Sequence, residues 1–225
     1  MIPGYLLALR EGLEAALIIG IVLGTLRKIR REEFKSVVWA GTGSAVALSL
    51  VVGVIFYMVG VSFEGPAEEA FEGITMLLAA GVLTWMIFWM HYHARNVTTG
   101  LEADVRQAAL QQGKRALFFV AFLAVVREGI ELALFLIASS FSAGAQATVL
   151  GALLGLGTSI LLAWSLFSSL LKLDLRRFFL ATGLLLILFA AGLVAHGVHE
   201  LNEVGWIPAV IEHVWDVNFI LGENS

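Results

Sequence analysis

Apolar residues in this chain come in runs too long and too unbroken to be one face of a soluble helix or strand. Stretches of about 20 mainly apolar residues, enough to cross the hydrocarbon core of a bilayer as a helix, lie near 5–26, 37–61, 71–92, 116–140, 147–170 and 178–199. Residues 36–63 carry no charge, and neither do residues 132–171. The second stretch is long enough for the end of one span, a turn within 139–146 marked by Ser, Gly and Gln, and the start of the next. The pattern predicts an all-α integral membrane protein with six transmembrane helices.

The polar positions give these spans a direction. Arg27, Lys28, Arg30, Arg31 and Lys35 fall in the first loop, Arg95, Arg106, Lys114 and Arg115 in the third, and Lys172, Arg176 and Arg177 in the fifth. Basic residues favour cytoplasmic loops, so the N-terminus is expected outside, with the tail returning to the same side. The opening residues lack the basic flank and unbroken apolar core of a cleavable signal peptide and read as the start of the first span. After Glu203, Ile207, Val210, Ile211, Val214 and Trp215 gather largely on one side of a segment that Pro208 would open. That tail, 204–225, reads as an amphipathic segment on the outer surface anchored by Trp206 and Trp215.

Only two Lys or Arg residues, Arg10 and Arg127, stand outside the loops. Each opens a five-residue motif inside a span: Arg10-Glu11-Gly12-Leu13-Glu14 and Arg127-Glu128-Gly129-Ile130-Glu131. A charge at mid-bilayer costs about 2.5 to 3.5 kcal/mol on insertion scales, and such a cost implies a use. Residues three apart on a helix lie about 60° apart around its axis, so Glu11 shares a face with Glu14, and Glu128 with Glu131. Two such faces opposed would form a cage of carboxylates. Four glutamates and two arginines, all ionised, leave a net charge of −2, which suits a cation.

Three spans separate the motifs, and an odd number inverts the second half. An inverted 3+3 repeat is therefore expected, with 1–93 as the first three-helix unit, 94–115 as a cytoplasmic loop and 116–203 as the second unit, and with the site where the halves meet. Gly41, Ala45, Ser49 and Gly53 on the second span are echoed by Ala147, Gly151, Gly155 and Ser159 on the fifth, and Ala79-Ala80-Gly81 by Ala190-Ala191-Gly192. Small residues four apart let helices approach closely in lipid.

Composition narrows the chemistry. With 225 residues, 59% hydrophobic and 14% charged, and a mean hydropathy of +0.89, the chain lies outside the range of soluble domains. The absence of cysteine excludes disulfides, thiolate metal sites and iron–sulfur ligation. No nucleotide-binding loop is present, and neither an organic cofactor nor a nucleic-acid partner is expected.

The two motifs resemble the paired Arg-Glu-Gly-x-Glu signature of the high-affinity iron permeases, and the likeness runs from the start of the chain to about Glu203. The resemblance implies iron uptake across a cytoplasmic or inner membrane, with Glu11, Glu14, Glu128 and Glu131 as metal ligands and Arg10 and Arg127 supporting them. It also implies that any oxidation of ferrous iron falls to a separate oxidase, or that an extracytoplasmic iron-binding partner delivers the ion. The acidic Glu68-Glu69-Ala70-Phe71-Glu72 resembles the family's external glutamate cluster. Members usually continue into a seventh span, a departure from the six read here.

Carboxylates alone do not name the metal. Ferric or ferrous iron, manganese or another hard divalent cation would suit the same oxygens, and a carboxylate ladder also relays protons. A di-metal membrane oxidoreductase is the enzymatic alternative, but it wants an intramembrane Glu-x-x-His pair, which the sequence lacks. A cation-binding sensor and a pair of buried ion-pair locks complete the alternatives. Outside the motifs, His196, His199, Glu200 and Glu203 form one stripe at the outer end of the sixth span and, with Glu68, Glu69 and Glu72, are candidates for external metal capture. His91 and His93 at the inner end of the third span read mainly as interfacial.

Overall fold

The computed structural model describes the backbone of residues 1–93, 97–168 and 175–207, and within them every side chain except those of 90–93, 97–99, 112, 175 and 176. The side chains of His91 and His93, the basic residues Arg95, Lys172 and Arg176, and the tail from residue 208 fall outside that description. Among the described residues the regular structure is entirely helical: α1 (Ile2–Lys28), α2 (Lys35–Val61), α3 (Pro66–His93), α4 (Val97–Gln107), α5 (Lys114–Ala143), α6 (Ala145–Phe167) and α7 (Leu175–Glu203). All but α4 run for 23 to 30 residues, or about 35–45 Å at 1.5 Å per residue.

Four helical stretches, Glu32–Val61, Pro66–Trp89, Ala145–Phe167 and Arg177–Glu203, are long and apolar enough to cross a membrane. Helices α1 and α5 are as long, but each carries the three charges of a motif. The long helices extend a few residues past the predicted spans at most ends. Hydropathy marks only the part that sits in hydrocarbon, whereas the backbone hydrogen-bond ladder continues into polar turns. The turn expected over 139–146 shrinks to one residue, Gly144, whose φ of +82° suits a residue without a Cβ. Ser139 and Thr148 then face each other across the joint, their hydroxyls 3.4 Å apart.

The segment 94–115, expected to be a loop, contains α4 and a following π turn, Ala108–Gln112. Its apolar residues Val105, Ala108 and Ala109 pack with Val22 and Leu26 of α1, Val38 of α2, and Leu117 and Ala121 of α5. A second cluster joins Leu7 of α1 to Met76, Leu83, Phe135, Ala138, Leu186 and Leu193 on α3, α5 and α7. Leu7 thus meets the late part of α5, and Val22 and Leu26 meet its start, so α1 and α5 run antiparallel.

Outside these clusters, large apolar side chains point away from the protein: Leu50, Val54 and Met58 on α2, Leu153, Ile160 and Trp164 on α6, and Leu180, Leu184 and Leu188 on α7. A soluble protein rarely exposes so continuous an apolar surface; a lipid-facing one must.

The closest helix contacts are made at small residues. Gly4, Gly151 and Gly155 bring α1 against α6, and a Cβ on Gly4 would sit 2.7 Å from the carbonyl oxygen of Thr148. Gly41 brings α2 against α5, where a Cβ would sit 2.7 Å from the carbonyl oxygen of Phe118. Gly73 and Gly197 do the same for α3 and α7.

Candidate metal centre

The two motifs occupy the middle of α1 and α5, between the two apolar clusters just described. Arg10, Glu11 and Glu128 are 2%, 1% and 6% exposed, and Glu14 and Glu131 are nearly as well covered. Oxygens of Glu11, Glu128 and Glu131, one from each, all lie within 4.8 Å of one another. Among the described residues no other group of three Asp, Glu or His side chains comes so close.

Each arginine serves the second glutamate of its own motif. Arg10 Nε donates to Glu14 Oε1 at 3.0 Å, and Arg127 Nε donates to Glu131 Oε1 at 2.8 Å, both at the four-residue spacing that puts side chains on one helical face. The two pairs differ in setting. Arg10 is enclosed, whereas Arg127 is half exposed and lies 5.0 Å from the ring centre of Trp89 on α3, a cation–π distance.

Several carboxylate oxygens have no donor. Oε1 and Oε2 of Glu11, Oε2 of Glu128 and Oε2 of Glu131 are buried with no N–H or hydroxyl donor, and the carboxyls of Glu11 and Glu128 have only each other within reach. Carboxylates gathered in an apolar interior repel one another, and Glu14 adds to the field on both Glu11 and Glu128. Unsatisfied buried acceptors are rare because each carries its full desolvation cost. A cation bound there would relieve both penalties at once.

The glycine inside each motif has a steric reason. A Cβ on Gly12 would collide with the Ser159 hydroxyl of α6, and one on Gly129 with the Ser49 hydroxyl of α2. Those serines press the motif helices against their neighbours. The sequence marked Ser49 and Ser159 only as members of small-residue stripes, and it gave no sign of Trp89. By contact, Gly41 meets α5 as Gly151 meets α1, and Ser49 meets Gly129 as Ser159 meets Gly12, one helical turn away from the match that the stripes suggest.

The outer candidates lie elsewhere. Glu68 and Glu69 sit in the first turn of α3. Glu72 is in the electrostatic range of Glu68 and Glu69 along α3, and the close approach of Gly73 to Gly197 adds Glu200 of α7. His196 pairs with Glu200 at 3.5 Å and His199 with Glu203 at 3.2 Å, so both histidines are engaged along α7 itself.

Comparison with known proteins adds the following. The model of the Iron permease FTR1 family matches residues 1–208. The chain is similar to the Ferrous iron permease EfeU of Escherichia coli O6:K15:H31 (strain 536 / UPEC), with 37% identity over 100% of this chain and 82% of that protein. It is similar also to the Ferrous iron permease EfeU of Yersinia pestis, with 34% identity over 100% of this chain and 80% of that protein. No solved structure matches it.

Proposed function

Since the chain belongs to the Iron permease FTR1 family, we propose that iron crosses the membrane through the carboxylates of Glu11, Glu128 and Glu131, with Glu14 as a fourth acid held in reserve by Arg10. The observation that carries this reading is the convergence of three glutamate oxygens within 4.8 Å in a buried setting. Hard cations are bound by oxygen, and exchanging water for carboxylates lets an ion shed part of its hydration shell. The relatives are named ferrous iron permeases, and ferrous iron is the form we assign as cargo. With every group ionised, four glutamates and two arginines carry a net −2, which its two charges match. Those relatives are transporters by name, which argues against the oxidoreductase alternative.

The same reading takes the six long helices as transmembrane and as an inverted 3+3 repeat, 1–93 and 116–203, joined by 94–115. Its support is an exchange of partners. Helix α1 packs along α6 and α5 packs along α2, and the motifs are offset by 117 residues (128 − 11). Gly151 meets the Met1 carbonyl and the Tyr5 amide, and Gly41 meets the Phe118 carbonyl and the Phe122 amide, the same contact at that offset. The basic loops put the N-terminus outside the cytoplasmic membrane, with Glu68, Glu69, Glu72, His196, His199, Glu200 and Glu203 on the entry side, where they attract cations.

Iron uptake into proteoliposomes tests the proposal. Wild type is expected to accumulate ferrous iron, and Glu11→Gln and Glu131→Ala to lose uptake while remaining folded and extractable. Uptake that persists in either variant removes the carboxylate route, and a preference for manganese over iron in competition removes the assigned cargo.

A further inference from the structure

A second site can be read where α2 and α5 begin. The two helices run parallel and close backbone to backbone at Gly41, where Phe118, Ala121 and Phe122 come into contact. Toward their starts an open groove of about 450 Å³ is lined by residues of both helices. Its walls are apolar, formed by Val37, Ala40, Phe118 and Phe119, and its rim is polar, formed by Ser36, Lys114 and Arg115. Phe119 is 54% exposed and sits edge-on to Phe118, ring centres 5.5 Å apart, so the wall is a stiff aromatic surface turned outward.

The rim cations differ from the nearby Lys35 and Arg31. Lys35 is paired with Glu32, and Arg31 with Glu33. Among the described residues, Lys114 and Arg115 have no carboxylate at ion-pair distance; Glu33 acts on Lys114 only through the longer-range field. Two uncommitted cations therefore stand at the mouth of a greasy cleft at the end of two membrane helices. An ordinary cytosolic anion would use the rim and leave the walls bare. A neutral lipid would use the walls and leave the rim unmatched.

We infer that this groove holds an anionic phospholipid, its phosphate against Lys114, Arg115 and Ser36 and the first part of an acyl chain along Val37, Ala40, Phe118 and Phe119. Basic pockets between membrane helices bind anionic head groups in this way. The site is independent of the glutamate cluster, and its test does not pass through iron uptake.

The test uses the purified full chain, titrated with phosphatidylglycerol or with phosphatidylcholine of the same acyl chains, bound lipid being read by native mass spectrometry. Phosphatidylglycerol is expected to bind more tightly than phosphatidylcholine. Near a membrane surface each Lys or Arg contributes about 1 kcal/mol, so Lys114→Gln with Arg115→Gln should weaken phosphatidylglycerol about 30-fold. Lys28→Gln with Arg30→Gln, two cations lost from the end of α1 and the turn after it, should leave it unchanged. Ala40→Trp, which fills the groove without altering charge, should weaken it as well. Equal affinity for the two lipids, equal loss in both charge variants, or full binding by Ala40→Trp would overturn the site. If a variant fails to fold, photoactivatable phosphatidylglycerol on the wild type decides the matter: adducts concentrated at 36–40 and 114–119 support the site, and adducts spread evenly over the protein refute it.

Discussion

At the scale of single residues, the proposed route makes the charges in the two motifs divide between stability and transport. Glu11 is enclosed and neither of its oxygens has a donor, so as a carboxylate it destabilises the fold in the absence of a cation. Glu11→Gln is therefore expected to leave thermal stability unchanged or higher while uptake is lost, a split that denaturation scans and flux assays measure together. A glutamate that merely locked two helices would lose both. Arg10 is the opposite case. Enclosed and bonded to Glu14, it leaves a buried charge unpaired when removed, and Arg10→Ala should cost about 3–5 kcal/mol of stability. Arg127 is half exposed, so Arg127→Ala should cost clearly less in the same assay. The four glutamates and two arginines were legible in the sequence, because charges in an apolar run stand out. The ion pairs follow from four-residue spacing. Which three carboxylates converge was not legible, because it depends on the rotation of α1 against α5.

At the scale of helices, close packing is fixed by small side chains. Gly129 sits against the Ser49 hydroxyl, and Gly129→Ala should cost about 1–3 kcal/mol through overpacking. Ser49→Gly in the same chain should restore much of that loss, as read from thermal unfolding of the double variant in detergent. An additive pair of losses would mean that the glycine serves something other than this contact. The small-residue stripes of α2 and α6 are plain in the sequence, but their match to each other was misread by one turn. Periodicity identifies a face, whereas register is set by which partner side chain fills it, here the two serines against the two motif glycines. The helix α4 was missed for a related reason. The buried apolar residues of α4 and of the π turn after it, Val105, Ala108 and Ala109, gain value only from a partner surface on α1, α2 and α5.

For the molecule as a whole, the testable feature is orientation. The chain contains no cysteine, so single cysteines report on sidedness without background. Ser62→Cys, between α2 and α3, is expected to react with a membrane-impermeant maleimide applied to intact cells. Gly100→Cys, on α4, is expected to react only after the membrane is opened. The reverse labelling would turn the protein over and move the entry side to the other face.

The sequence by itself determined that this is a helical membrane protein, where its long helices lie, and that two acidic motifs repeat within it. These follow from local physics, since the cost of charge in lipid and the period of a helix act on neighbouring residues. The tertiary structure decided that Glu11, Glu128 and Glu131 meet while Glu14 turns to Arg10, and that serines close the motif glycines. It also decided that a groove opens between Lys114 and Ala40. Each of these depends on how one helix is rotated and shifted against another, and that is set by packing between residues far apart in the chain.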